Sequence, residues 1–133
     1  MSTFSVALCK ELLDHVFDKG DYTSPTAIKV GLSSTLPTEA GTNITEPSGG
    51  YAKQSTTGSD WATADGTDYA YTRNSSAITF GPVTGAAWAE QLYLCFYDQS
   101  DNFLGFAELD DGITPDVGDS VNFAANAVEV RLD

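Results

Sequence analysis

The sequence predicts a mainly β protein: an antiparallel β-sandwich of jelly-roll type with one N-terminal amphipathic helix. Three observations lead there. Residues 128–133 alternate strictly, with Val128, Val130 and Leu132 apolar and Glu129, Arg131 and Asp133 charged, the period of a strand with one wet face. The segments QLYLCFYD (91–98), NFLGFAEL (102–109) and SVNFAA (120–125) repeat the strand signature at short intervals, separated by Asp, Asn, Gly and Pro. Residues 4–18 instead carry Phe4, Leu8, Leu12 and Val16 at i, i+4 spacing, with Lys10, Glu11, Asp14 and Asp18 elsewhere on the helix. All 133 residues are expected to form one domain, the helix at about 4–18 and the sandwich at about 26–133.

Each element has its own signals. Ser2 or Thr3 is placed to cap the helix, Gly20 to end it, and Pro25 to prevent its resumption. Residues 26–34 read as a strand with Ile28, Val30 and Leu32 on one face. From Leu36 to Gly50 the Pro, Thr, Gly and Ser content is that of a loop. A short strand at 51–55 precedes a polar stretch anchored by Trp61, Tyr69 and Tyr71. Residues 77–83 read as a strand with Ile78 and Phe80 on one face, and Pro82 suggests an edge position or a bulge at its end. In 91–98, Leu92, Leu94 and Phe96 face one way and Tyr93, Cys95 and Tyr97 the other, so this strand is central and covered on both sides. Its hairpin partner puts Leu104 and Phe106 on one face, with Phe103, Ala107 and Leu109 on the other. The expected core comprises Ile28, Val30, Leu32, Phe80, Leu94, Phe96, Leu104, Phe106, Val121, Phe123, Val128, Val130 and Leu132.

Charge excludes one class of partner. Nineteen acidic and six basic residues give a net charge of −13. The basic residues are scattered singly, whereas phosphate neutralisation needs them clustered, so no direct nucleic-acid binding is expected. No stretch approaches the roughly 20 apolar residues of a membrane helix. Lys10, Glu11 and Asp14 interrupt the apolar positions near the N-terminus, unlike a secretory signal, so synthesis in the cytoplasm is expected. Cys9 and Cys95 are expected to be buried free thiols, a disulfide being the alternative.

No catalytic constellation stands out. His15 is the lone histidine, and neither a GxSxG elbow nor a Gly-rich phosphate loop occurs, so the chain is expected not to be an enzyme. Asp98, Asp101, Asn102, Asp110, Asp111, Asp116 and Asp119 offer oxygen ligands, but not in EF-hand order. Turn formation explains them equally well, and no metal or other cofactor is expected. Trp61, Tyr69, Tyr71 and Trp88 suit either a sugar-stacking platform or packing and subunit contact.

The order of parts carries a resemblance. LLDH at 12–15, TEAG at 38–41, GGYA at 49–52 and the ending GDSVNFAANAVEVRLD resemble a family of small structural proteins of tailed bacteriophages. Members share an LLDH-type helix, a TEAG…GGYA loop and a last hairpin of this pattern, and the likeness spans nearly the whole chain. It implies a virion protein made in the host cytoplasm. Among its members the compact acidic form is similar to capsid cement, or decoration, proteins. These bind the shell exterior and bridge copies of the major capsid protein. The alternatives are a tail or tail-fibre component and a carbohydrate-binding adhesin module. A homo-oligomer or a symmetric shell lattice is expected, and the candidate partner-binding residues are Phe4, Leu8, Leu12, Val16, Trp61, Tyr69 and Tyr71.

Overall fold

The computed structural model describes residues 2–132, and these fold as antiparallel β-structure with one N-terminal helix. In chain order the elements are β1 (Ser2–Phe4), α1 (Val6–Val16), β2 (Ile28–Ser33), β3 (Gln54–Thr56), β4 (Ala70–Arg73), β5 (Ile78–Phe80), β6 (Gln91–Tyr97), β7 (Phe103–Ile113), β8 (Val121–Phe123) and β9 (Glu129–Leu132). Five strands pair in the order β1-β7-β6-β2-β3. Two ribbons, β4-β9 and β5-β8, supply the opposing layer. Asp133, expected on the wet face of the last strand, lies outside the described residues.

Apolar residues on both faces of β6 are explained by its central place. Leu94 and Phe96 point into the main core, where Val30 and Leu32 of β2 meet Ile78 and Phe80 of β5, Val121 of β8 and Val128. Cys95 and Tyr97 point the other way and are buried with Phe106, packed by Phe103, Tyr93 and Ile44. Ile44 comes from the loop after β2, which is braced by its own threonines: Thr35 Oγ1 donates to the Asn43 carbonyl (2.6 Å), and Thr38 and Thr42 join through their hydroxyls (2.7 Å). Gly41 lets this loop close on the sheet, since a Cβ there would meet the Phe103 side chain at 2.8 Å.

Several expectations need correction. The helix is shorter than residues 4–18. Phe4 belongs to β1, opposite Gly105, so the sandwich takes in the first residues as well as those from 26 onward. Ser5, not Ser2 or Thr3, is the cap, its Oγ accepting from the Leu8 N–H at 3.1 Å. At the other end Asp18 adopts a φ of 57°, and the N–H groups of Lys19 and Gly20 return to the Asp14 carbonyl.

Phe106 lies on the face opposite to the one expected. Phe96 pairs with Gly105 but Tyr97 pairs with Phe103, so one extra residue, Leu104, is inserted in β7. This bulge shifts the alternation by one. Leu104 and Ala107 therefore pack on the main core, while Phe103 and Phe106 share the second face. Leu132 is 54% exposed, because β9 pairs only with β4 and burial fades along the ribbon from Val128 through half-buried Val130. Ile28, Leu104 and Phe123 are half-buried against the core rather than enclosed in it.

Tyr51 ties these layers together. Its ring stacks on Phe80 (6.1 Å, 9°) and meets Trp88 edge-on (5.9 Å). Its hydroxyl accepts from the Leu32 N–H (3.1 Å) and donates to Glu46 Oε1 (3.0 Å). Tyr51→Phe is expected to cost about 1–3 kcal/mol by leaving the Leu32 N–H without its acceptor. Phe80→Ala is expected to cost about 3–5 kcal/mol. Leu132→Ala should stay within about 0.5 kcal/mol. Urea denaturation of the three variants checks this order, and a costly Leu132→Ala would contradict the fading burial of β9.

Candidate functional site

The candidate partner-binding residues separate into three settings. Phe4 is half-buried in β1, Leu8 is buried, and Leu12 is half-buried, so most of the proposed helical stripe faces its own domain. Val16, at 72% exposure, is the member left in solvent. Trp61 is also partly internal: its ring meets Phe96 edge-on (6.0 Å), and its Nε1–H donates to Thr56 Oγ1 (2.8 Å). Trp88 is enclosed, donating to the Gly49 carbonyl (2.9 Å). It offers no surface.

Tyr69 and Tyr71 do form a surface cluster, with residues that strand patterning alone did not pick out. The β4-β9 register sets Tyr71 opposite Arg131 and Arg73 opposite Glu129. The Arg131 guanidinium lies 4.2 Å from the Tyr69 ring centre, and that of Arg73 lies 4.9 Å from Tyr71. Glu129 binds both arginines: Oε2 accepts from Arg73 Nε (2.9 Å) and Nη2 (2.6 Å), and Oε1 from Arg131 Nε (2.6 Å). Hydrogen bonds from Arg73, then Arg131, hold the Glu129 carboxyl below the usual glutamate range. Both arginines of the chain thus converge on one carboxylate. Their charge and their single-carboxylate spacing (Arg131 two residues from Glu129) were visible in the sequence; the pairing with Arg73, 56 residues away, was not.

Beside this cluster runs an open groove of about 330 Å³. Arg73, Glu129 and Arg131 line it together with Glu108 and Asp110, over buried Leu94, Ala107 and Val128. Its lining residues include no Ser, Cys, His or Lys, so its chemistry is hydrogen bonding and charge. Guanidinium donors and free carboxylate acceptors suit a hydroxyl-rich ligand. Against a stacking platform, each tyrosine ring already has an arginine over one face.

The acidic loops are used internally. Asp98 accepts from the N–H groups of Ser100 and Asn102 and from the Asn102 side chain. Asp101 binds Lys29 (3.2 Å) and Lys53 (3.5 Å), the first contact being the main cause of its lowered pKa. Asp119 accepts from the Asp116 N–H (3.0 Å). Among the described residues, no group of three or more His, Cys, Asp and Glu side chains is placed to hold a metal ion. His15 Nδ1 accepts from the Tyr22 N–H (3.2 Å), fastening the segment after the helix.

A family model covers almost all of this fold, residues 3–131, and it makes the chain a small structural protein of tailed bacteriophages, at home in the virion. The family is described as Podophage GP4 fiber I protein gp80, and the chain belongs to it. No curated protein matches the sequence.

The double pairing of Glu129 has a pH signature. Because its folded pKa is depressed, its contribution is fully present above the ordinary glutamate value of about 4.3 and is lost as pH falls through the folded value. Glu129→Gln is therefore expected to melt below wild type at pH 7, with the gap narrowing as pH falls below about 4.3. Melting curves of both proteins between neutral and acid pH check this. A gap that does not change with pH would assign the loss to packing.

Proposed function

We propose that the chain is a non-catalytic fibre-type subunit, attached to the virion by protein contacts. The match over residues 3–131 to a family described as a fibre protein carries this reading, because it takes in both layers of the sandwich and the helix. The geometry supports a contact role in two ways. The acidic turns are occupied with their own backbone, and four of the seven large exposed apolar side chains among the described residues gather on α1 and its C-cap, Phe17. Repeated copies then strengthen attachment even where each contact is weak.

A second reading, capsid cement that bridges copies of the major capsid protein on the shell exterior, is favoured by the compact acidic body. The groove beside Arg73 and Arg131 is the feature that favours saccharide contact, a role compatible with a fibre.

Fractionating virions into heads and tails separates the two leading readings. The fibre reading expects the protein in few copies in the tail fraction, retained through a moderate-salt wash, since apolar contacts survive where exposed charges are screened. Many copies on tailless heads would overturn it in favour of cement.

A further inference from the structure

α1 is apolar on two sides, and its own domain uses only one. At about 100° per residue, Leu8 and Leu12 fall together on the side that is buried or half-buried against the sandwich. Val6, Cys9, Leu13 and Val16 fall on another side, with Phe17 at its margin. Val6 is 46% exposed, Leu13 57%, Val16 72% and Phe17 67%, and Cys9, expected to be buried, is exposed too because it lies on the helix side turned away from the sandwich. These four hydrophobics are more than half of the seven large exposed ones among the described residues, gathered on twelve consecutive positions. A soluble surface does not concentrate apolar side chains in this way without something to cover them.

Among the described residues, none covers them. The return segment after the helix is fastened to His15 through the Tyr22 N–H, and His15 lies roughly opposite Val6 and Leu13 on the helix. The N-terminal turn is fixed by Val6 N–H donating to the Glu39 carbonyl, a backbone contact that leaves the Val6 side chain out.

We infer that this stripe is the seam through which α1 packs, in parallel, on α1 of a second copy of the chain. Spacing identifies the occupant. Steps of three, four and three from Val6 to Val16 are the a-d-a-d positions of a helix–helix seam, and such a seam needs a partner helix with the same spacing. Every copy carries one. Charge agrees with this. In a chain of net charge −13, the helix's acidic residues Glu11 and Asp14 lie at positions f and b, away from the seam, Asp18 lies beyond the helix end, and Lys10 is the only ionic side chain flanking the seam. In parallel register Leu12 meets Phe17 of the second copy across the flank, so no like-charged pair opposes contact. The helix is only 11 residues, about 16 Å, so a single seam is weak in dilute solution and gains strength where copies are held together. The inference deepens the structural-subunit reading by naming a partner, yet it is tested on purified protein and stands apart from where the subunit sits in the virion.

Cys9 occupies a d position, so two seamed copies bring their Cys9 thiols face to face, while Cys95 is buried and out of reach. The purified protein is oxidised with copper–phenanthroline at increasing concentration, two thiols giving up two electrons and two protons to the oxidant as the S–S bond forms. A covalent dimer is expected that rises with concentration and disappears in Cys9→Ser. Leu13→Asp and Val16→Asp should each reduce it several-fold while leaving the melting temperature unchanged, because both side chains are exposed. An off-seam control, Asp14→Cys in the Cys9→Ser background, should cross-link far less than wild type. Equal cross-linking by the control, or monomer at every concentration by analytical ultracentrifugation, would overturn the inference. So would capture of a different virion protein by this stripe on a chain that stays monomeric.

Discussion

The outer edge of β2 is where this structure was most exposed to failure, and Tyr51 closes it. β3 pairs with β2 only as far as Val30, so the Leu32 N–H, on a fully buried residue, has no strand beside it. A side-chain hydroxyl takes the strand's place. The loop that delivers it must run close to the neighbouring turn, and Gly49 and Gly50 permit that: both have positive φ, and a side chain at either would strike the backbone carbonyl of Thr84 or Pro82. Burial pushes the Tyr51 phenol well above the ordinary tyrosine range, which keeps the proton that its bond to Glu46 requires. One residue thereby joins the main core, the sheet edge and the loop on the second face.

The parts that were legible in the sequence are those whose cause is local. Alternation in β6 reflects burial on both faces of one strand, so Leu94 and Phe96 were separable from Cys95 and Tyr97 by inspection. The same holds for Val30 and Leu32. Asp98 and Asn102 make a turn with their own atoms, and their residue types announced it. What was not legible depends on distant pairing. β1 exists because Thr3 lies opposite Phe106, across about a hundred residues of chain, and nothing near Phe4 separates a strand end from a helix start. The bulge at Leu104 is a fact about β7 against β6. Glu129 looked like one more outward charge until β4 brought Arg73 beside it.

The charge distribution bears on how such a subunit meets others. Four of the six basic residues are committed to ion pairs within the domain, Lys29 and Lys53 at Asp101 and both arginines at Glu129. Lys53 also lies 4.0 Å from the Tyr97 ring centre, over the second core. The scarce positive charge therefore braces the fold, and most of the surface is left net negative. Copies repel at a distance and approach only through neutral faces, which sharpens the choice of contact.

The strand order also governs what this protein must avoid at high local concentration. The five-stranded sheet ends in β1 and β3, each three residues long. β7 runs on past β1 to Ile113, and this overhang carries Glu108, Asp110 and Asp111. Open strand edges are templates for runaway pairing, and short terminal strands and charged overhangs are how sheets blunt them. Where copies are crowded together, this sheet offers a neighbour little bare backbone to zip onto. Contact at this sheet is then left to side chains, which can stop at a fixed number of partners where a sheet edge would keep growing.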